Sequence, residues 1–214
     1  MFTGADDASK IGTINTWNGK NQTNYKSECG KIRGSAGGFF PPNLETPDTL
    51  DLFSHQLCRV LTYESTNETQ NHEGLEGNLY KLPETTFANE TVHAENWCFE
   101  NNLPSGLQNG SYCNAQNSPI YYSFPHFYGA DQFYLDQFDE KSELEPSMEK
   151  HRSSMLIEPV SFSINCVIHL IQSSKFEKEN RILSCSAHGT PNFTNPKYFV
   201  YLLLEYFFQI KVLN

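Results

Sequence analysis

Residues 120–127 read Ile120-Tyr121-Tyr122-Ser123-Phe124-Pro125-His126-Phe127. Aromatic and β-branched side chains suit a pleated, half-buried surface. Proline has no N–H to donate to a ladder, so it stops a strand. The stretch therefore predicts a compact aromatic strand over 120–124 that ends at Pro125. The same character runs through the chain, which carries 16 Phe and 11 Tyr with only 19% charged residues and so reads as strand-rich. Working outward, a strand is expected at 11–17, closed by a tight turn at Asn18-Gly19. Others are expected at 78–82, stopped by Pro83, and at 160–171. Thr46-Pro47 predicts a short helix with Thr as N-cap and Pro in the first helical position, burying Leu50 and Phe53. Residues 57–63 fit a continuation of that helix or a strand equally well. The polar stretches 34–38, 64–78 and 100–118 read as loops. Residues 131–149 hold seven acidic side chains and read as solvated. The tail from 184 changes character, with Pro191, Asn192, Asn195 and Pro196 followed by a dense aromatic run. No repeat of domain-building length is present.

The chain has 214 residues, enough for one large or two small domains, and a formal net charge of -10. An acidic chain without a Lys/Arg cluster repels phosphate backbones, which argues against nucleic acid and against a basic membrane-surface patch. Motifs for catalysis do not form. Ser35 lies in Arg33-Gly34-Ser35-Ala36-Gly37 and lacks the glycine two positions before it that a nucleophile elbow needs. No glycine-rich phosphate cradle occurs. His72-Glu73 begins like a zinc-protease motif, but Glu76 stands where the second histidine belongs. Cys185 and His188 make at most half a metal site. Asp131, Asp136, Asp139, Glu140, Glu143 and Glu145 lack the ligand spacing of a calcium loop. The expectation is a protein that is not an enzyme and needs no cofactor or metal.

Six cysteines, Cys29, Cys58, Cys98, Cys113, Cys166 and Cys185, are widely spaced with no CxxC pair. That suits disulfides between distant segments, and spacing alone leaves their connectivity open. Five N-x-S/T sequons stand at Asn21, Asn67, Asn89, Asn109 and Asn192. Together they favour the secretory route. Met1-Phe2-Thr3-Gly4-Ala5-Asp6-Asp7 has neither the charged nor the apolar region of a signal peptide. The longest apolar run, 198–204, is far short of the ~20 residues of a membrane helix. No span is expected within the chain.

A series of short motifs, in order, resembles the class B scavenger receptors. It runs from Thr3-Gly4-Ala5-Asp6-Asp7, Ile11-Gly12 and Trp17-Asn18-Gly19 to Cys29, Phe40-Pro41-Pro42 and Leu57-Cys58-Arg59. Phe87-Ala88-Asn89, Trp97-Cys98 and Cys113 follow, then Ser123-Phe124-Pro125-His126-Phe127. Glu149-Lys150-His151-Arg152 and Ile157-Glu158-Pro159 close it. The similarity covers residues 2 to about 172. It departs at Glu100, where the family often has a second cysteine, at Leu156, where an aspartate is expected, and near Phe162, where a glycine is expected.

The resemblance implies a mainly β fold with short helices (α+β), part of an antiparallel, barrel-like ectodomain. Residues 1–172 would be the C-terminal half of that ectodomain and 173–214 a diverged tail. It implies a membrane span at each end, here lying outside the chain, and a tunnel that passes lipids. The partners would be fatty acids, cholesterol or lipoprotein particles, met on the extracellular side of the plasma membrane. The alternative is a protein-binding module of lysosomal or adhesion type on the lumenal side of the lysosomal membrane. The family also implies disulfides Cys29–Cys98 and Cys58–Cys113, leaving Cys166 as a buried thiol and Cys185 over. Because both ectodomain halves wall the tunnel, this chain alone is expected to transport no lipid and to expose an apolar face that includes Tyr121, Phe124 and Ile164.

Secretion of the chain from a eukaryotic cell provides a combined check. Glycosidase treatment is expected to lower the mass, with glycans on Asn21, Asn67, Asn89 and Asn109, and non-reducing peptide mapping is expected to link Cys29 to Cys98. An unchanged mass contradicts the extracytoplasmic assignment, and a Cys29–Cys58 peptide contradicts the pairing.

Overall fold

The structure is a computed structural model, and it describes residues 1–37, 40–41, 47–72, 75–99, 102–113, 120–138, 144–158, 164–168, 171–176 and 182–188. Asn192 and most of the aromatic tail fall outside these residues. The strands in chain order are β1 (Thr49–Ser54), β2 (Arg59–His72), β3 (Leu75–Lys81), β4 (Gln108–Asn109) and β5 (Ile120–Ser123). Then come β6 (Ser154–Ile157), β7 (Ile164–Ile168), β8 (Ile171–Phe176) and β9 (Ile182–His188). Two single-turn helices, α1 (Gln132–Leu135) and α2 (Met148–His151), and several 3-10 turns complete the described residues. The fold is mainly β with short helices, as the sequence implies, and every strand pairing is antiparallel.

The described chain forms two compact units. The first is built from Met1–Pro83 and Ser154–Ile168. Its sheet has the order β1-β2-β3-β6-β7. β1 replaces the helix expected from Thr46-Pro47. From Thr49 to Leu52 exposed or half-exposed residues alternate with buried ones, Phe53 and Ser54 are then buried in succession, and the whole strand pairs with β2 from Thr49↔Glu64 to Ser54↔Arg59. Tertiary pairing has overridden a helix-start signal. On the outer edge of β1, Ser35 N–H donates to the Asp51 carbonyl at 2.8 Å and Phe53 N–H donates to Ser35 at 2.8 Å. The Asp51 carboxylate accepts from Arg33 Nε at 2.7 Å and from Thr62 Oγ1 at 2.6 Å.

β2 also overturns an expectation, since 64–72 is strand and not loop. Its first part carries the buried Val60, Leu61 and Tyr63. Beyond Tyr63 the described side chains are exposed or half-exposed, so no hydrophobic alternation marks the strand. Pairing with β3, from Glu64↔Lys81 to His72↔Leu75, keeps it extended. A bulge between Ser65 and Thr69 is accommodated by Asn67 at φ +57°.

The strand expected at 11–17 is instead a chain of turns with isolated bridges, Thr13↔Ser35 and Trp17↔Lys20. Its alternation is too short to build a ladder. The Asn18-Gly19 turn does form. Trp17 and Lys20 exchange backbone bonds of 2.8 and 3.1 Å across it, with φ +52° at Asn18 and +75° at Gly19. Two positive φ values are the type I′ requirement. The turn delivers Trp17 onto Phe53, centroids 6.0 Å apart, beside the core of Ile32, Phe53 and Val60.

The second unit takes Glu84–Ser153 and the described strands after residue 170. Its sheet has the order β4-β5-β8-β9. β5 is the aromatic strand expected from 120–124, one residue shorter. The single strand expected at 160–171 is divided, β7 pairing with β6 in the first unit and β8 with β5 in the second. The acidic stretch contains α1 and the start of α2. Asp131 caps α1 by accepting from Phe133 N–H at 2.9 Å, and α1 buries Tyr134, while Asp131, Asp136 and Glu145 stay exposed.

Leu61 has no exposed surface. Leu61→Ala is expected to cost about 2–5 kcal/mol, the usual range for a buried leucine truncation. Urea unfolding should show a lower midpoint with an unchanged slope, whereas Glu68→Ala on the exposed part of β2 should stay within about 0.5 kcal/mol of the parent.

Candidate functional site

The segment after β5 organises the second unit. Pro125 opens a 3-10 turn, Pro125–Phe127. His126 (φ +52°) and Phe127 (φ +56°) are both left-handed. Each such residue costs on the order of 1–3 kcal/mol and persists only where its surroundings impose it. Backbone bonds from Phe127 to Phe124 (3.1 Å), Tyr128 to Pro125 (3.1 Å) and Ala130 to Phe127 (3.0 Å) hold the turn. It sends successive rings to different places. Phe124 is buried, edge-on to Phe87 at 5.0 Å and to Tyr128 at 5.8 Å. Phe127 stacks on Tyr134 at 5.8 Å within a core shared with Leu107, with half-buried Tyr121 packed against it. The expectation that Phe124 and Tyr121 form an exposed face is therefore corrected, because their neighbours in the same unit cover them. The side chain of Ile164 lies outside the description.

His126 takes a third direction. Its ring stacks on His151 of α2, with centroids 4.0 Å apart and planes 14° from parallel. His151 Nδ1 accepts from Ser147 N–H at 2.9 Å, which places the ring proton of the neutral form on Nε2. Burial holds His126 below the usual histidine value; Glu145 opposes that and Lys150 adds to it. Burial also holds His151 down, reinforced by His126 and by Lys150. Close by in the turn, the Tyr128 hydroxyl donates to Glu84. Burial and that bond push the Tyr128 phenol up to about 12 against the pull of Arg152.

A second set of contacts secures the segment from 84 to 110. Asn96 Nδ2 donates to the Thr85 carbonyl at 2.8 Å and the Ala88 carbonyl at 2.7 Å. Asn89 Nδ2 donates to the Leu103 carbonyl at 3.1 Å, and its Oδ1 accepts from Thr91 Oγ1 at 2.7 Å. Gly106, at φ +105°, lies so close to Ala130 that a Cβ has no room. In the first unit Arg59 is buried at the start of β2. Burial pulls its guanidinium down to about 9, with Tyr25 opposing, so it stays charged at neutral pH.

The sites expected from the sequence fall as follows. Cys29, Cys58, Cys98 and Cys113 all stand in disulfides. Cys58 and Cys98 are buried, and Cys29 and Cys113 are half-buried in 3-10 turns. Cys166 lies on β7 opposite Leu156, and Cys185 on β9 opposite Ser174. Asn21 and Asn67 are exposed, whereas Asn89 and Asn109 are half-buried. Asn109 Oδ1 accepts from Ser111 N–H at 2.9 Å. The histidine stack was not legible as a pair; both residues belong to motifs of the resemblance, but nothing in a spacing of 25 positions joins them. Among the described residues no cluster of three or more metal-ligating side chains occurs, and no helix is long and apolar enough to cross a membrane.

The family profile described as the CD36 family matches residues 1–186. Protein peste of Drosophila melanogaster is 39% identical over 165 residues, covering 74% of this chain and 28% of that protein. Scavenger receptor class B member 1 of Sus scrofa is 33% identical over 175 residues, covering 79% and 33%. Lysosome membrane protein 2 of Rattus norvegicus is 32% identical over 164 residues, covering 75% and 33%. The chain thus spans a third or less of the length of these relatives.

Asn96→Ala removes both donors from two backbone carbonyls at once. It is expected to destabilise the chain by about 1–3 kcal/mol. A chemical denaturation midpoint measures this, with exposed Glu95→Ala as a control that should move little.

Proposed function

The chain belongs to the CD36 family, and from that premise we propose that it is part of the ectodomain of a scavenger receptor that takes up or transfers lipid at a membrane. The ligands are fatty acids, cholesterol or lipoprotein particles, and the working side is the extracellular face of the plasma membrane. The observation that carries this reading is the family match over 1–186, with 33% identity to a class B scavenger receptor over 175 residues. The disulfides fit an oxidising compartment. The proposed pairing is Cys29–Cys98 with Cys58–Cys113, and the proposed glycan carriers are Asn21, Asn67, Asn89, Asn109 and, in the tail, Asn192. Residues 1–172 are taken as the C-terminal half of the ectodomain and 173–214 as its diverged continuation. No catalytic step is assigned to any residue.

The chain's part in such a receptor is structural support. In the second unit the aromatic rings of Phe124, Phe127 and Tyr134 fill its own interior. The lipid path is then completed by segments the chain does not supply.

A second reading is favoured by the 32% identity to rat lysosome membrane protein 2. On that reading the chain belongs to a lumenal, protein-binding module of the lysosomal membrane and moves no lipid.

A segment exchange separates the two. Residues 1–172 replace the matching stretch of pig scavenger receptor class B member 1, and cells displaying the chimera are assayed for uptake of lipid from lipoprotein particles. Uptake per surface molecule within about fivefold of the parent, roughly 1 kcal/mol, is the expected result. Normal display with uptake at the level of untransfected cells refutes the lipid reading.

A further inference from the structure

We propose that the stacked pair His126–His151 is an acid-released latch, which holds the left-handed turn after β5 against α2 while both rings are neutral and frees them when they take up protons. This goes beyond the lipid reading and does not rest on it.

Four observations carry the proposal. The rings lie face to face at 4.0 Å and 14°. Neutral imidazoles tolerate that arrangement, and two imidazolium cations repel in it. One ring belongs to a turn with two consecutive left-handed residues, a conformation that relaxes when its restraints go. The other closes α2, a helix of only four residues whose preceding N–H, on Ser147, is satisfied by His151 Nδ1 at 2.9 Å. A proton on Nδ1 turns that acceptor into a donor, so the Ser147 bond breaks as the charge appears. Finally, His151 is buried and His126 half-buried, so charge on either ring is poorly hydrated.

The charged neighbours set how the latch is loaded. Among the described residues, Glu145 acts on His126 and favours its cation, while Lys150 acts on both rings and disfavours theirs. Glu84 and Arg152 act on Tyr128, the residue that follows the turn. Both rings sit below the usual histidine value when closed. An opened segment therefore binds protons more readily than a closed one. The closed state is fully favoured above the ordinary histidine value of about 6.5 and loses ground as pH falls through it toward the lowered values.

The test uses the full 214-residue chain and hydrogen–deuterium exchange at about pH 7.5 and about pH 5, with intrinsic exchange rates corrected. In the parent, protection of residues 125–128 and 147–151 is expected to fall by about tenfold or more at the lower pH. Protection of β2 around Leu61 should stay unchanged. His126→Asn keeps a residue type suited to the left-handed backbone, and His151→Asn keeps an acceptor near Ser147 N–H. Each should reduce the acid loss to about threefold or less. Equal protection of the parent at both pH values overturns the proposal, as does an acid loss in the variants as large as the parent's. Should the variants not fold, histidine NMR titration of the parent decides. Two rings titrating below the ordinary value support the latch, and no such ring overturns it.

Discussion

The pairing of β2, first with β1 and then with β3, is the constraint on which the first unit depends. β1 pairs with its first part, from Arg59 to Glu64, and β3 with its second, from Glu64 to His72, so the two ladders meet at Glu64 and carry the strand along its length. Leu61 and Tyr63 are fully buried there. Because the ladder fixes the backbone, the chain beyond Tyr63 can be polar without leaving the extended conformation. β1 can likewise be drawn from a helix-like start, since its neighbour offers a complete row of donors and acceptors. Buried backbone groups have to be paired, and a template strand pairs them more cheaply than an isolated helical turn can.

In the second unit β8 is paired on both edges, with β5 over 172–175 and with β9 over 171–176. Its strands β4 and β5 are only two and four residues long, and the described turns beside them are tied by side chains as well as by short-range backbone bonds. Pro125 ends β5, and the two left-handed residues after it direct Phe124 and Phe127 into separate aromatic groups while His126 meets His151. Asn96, with both donors on backbone carbonyls, does for residues 85–96 what a ladder would do elsewhere. Such turns rest on local geometry and a few buried polar clasps, which makes them more sensitive to the charge of one side chain than a ladder of paired strands.

This difference explains what the sequence disclosed. Where local chemistry decides, reading was reliable. Asn18-Gly19 is a type I′ turn because those residue types accept positive φ, and Ile120–Ser123 is a strand because its aromatic run meets a proline. Where a distant partner decides, reading failed. Nothing within 64–72 reveals β3, and nothing near Thr46-Pro47 reveals β2. Residues 160–171 carry no sign that β7 and β8 belong to different sheets. The same applies to the histidines. Their type and neighbours were visible, but the stack is a product of the turn and α2, and no periodicity encodes it. The order of short motifs succeeded in placing the chain in its family because it sums many local signals and needs no contact to be inferred.

The cysteines complete the argument. Hydrophobic residues are 38% of the chain, and one core cluster of the first unit joins Ile32 to Phe53 of β1 and Val60 of β2. Each bonded cysteine lies where ladder hydrogen bonding is absent. Cys29, Cys98 and Cys113 are in 3-10 turns, and Cys58 is at φ +51° in the turn before β2. A cross-link acts mainly by restricting the unfolded chain, contributing roughly 4 kcal/mol for a long loop, and it makes no demand on local hydrogen bonding. Covalent bonds therefore secure the irregular segments, and backbone pairing secures the strands. The histidine pair lies outside both, on two single turns held by short-range backbone bonds and side-chain contacts. That is why a change of one or two protons is sufficient to act there while the sheets are unaffected.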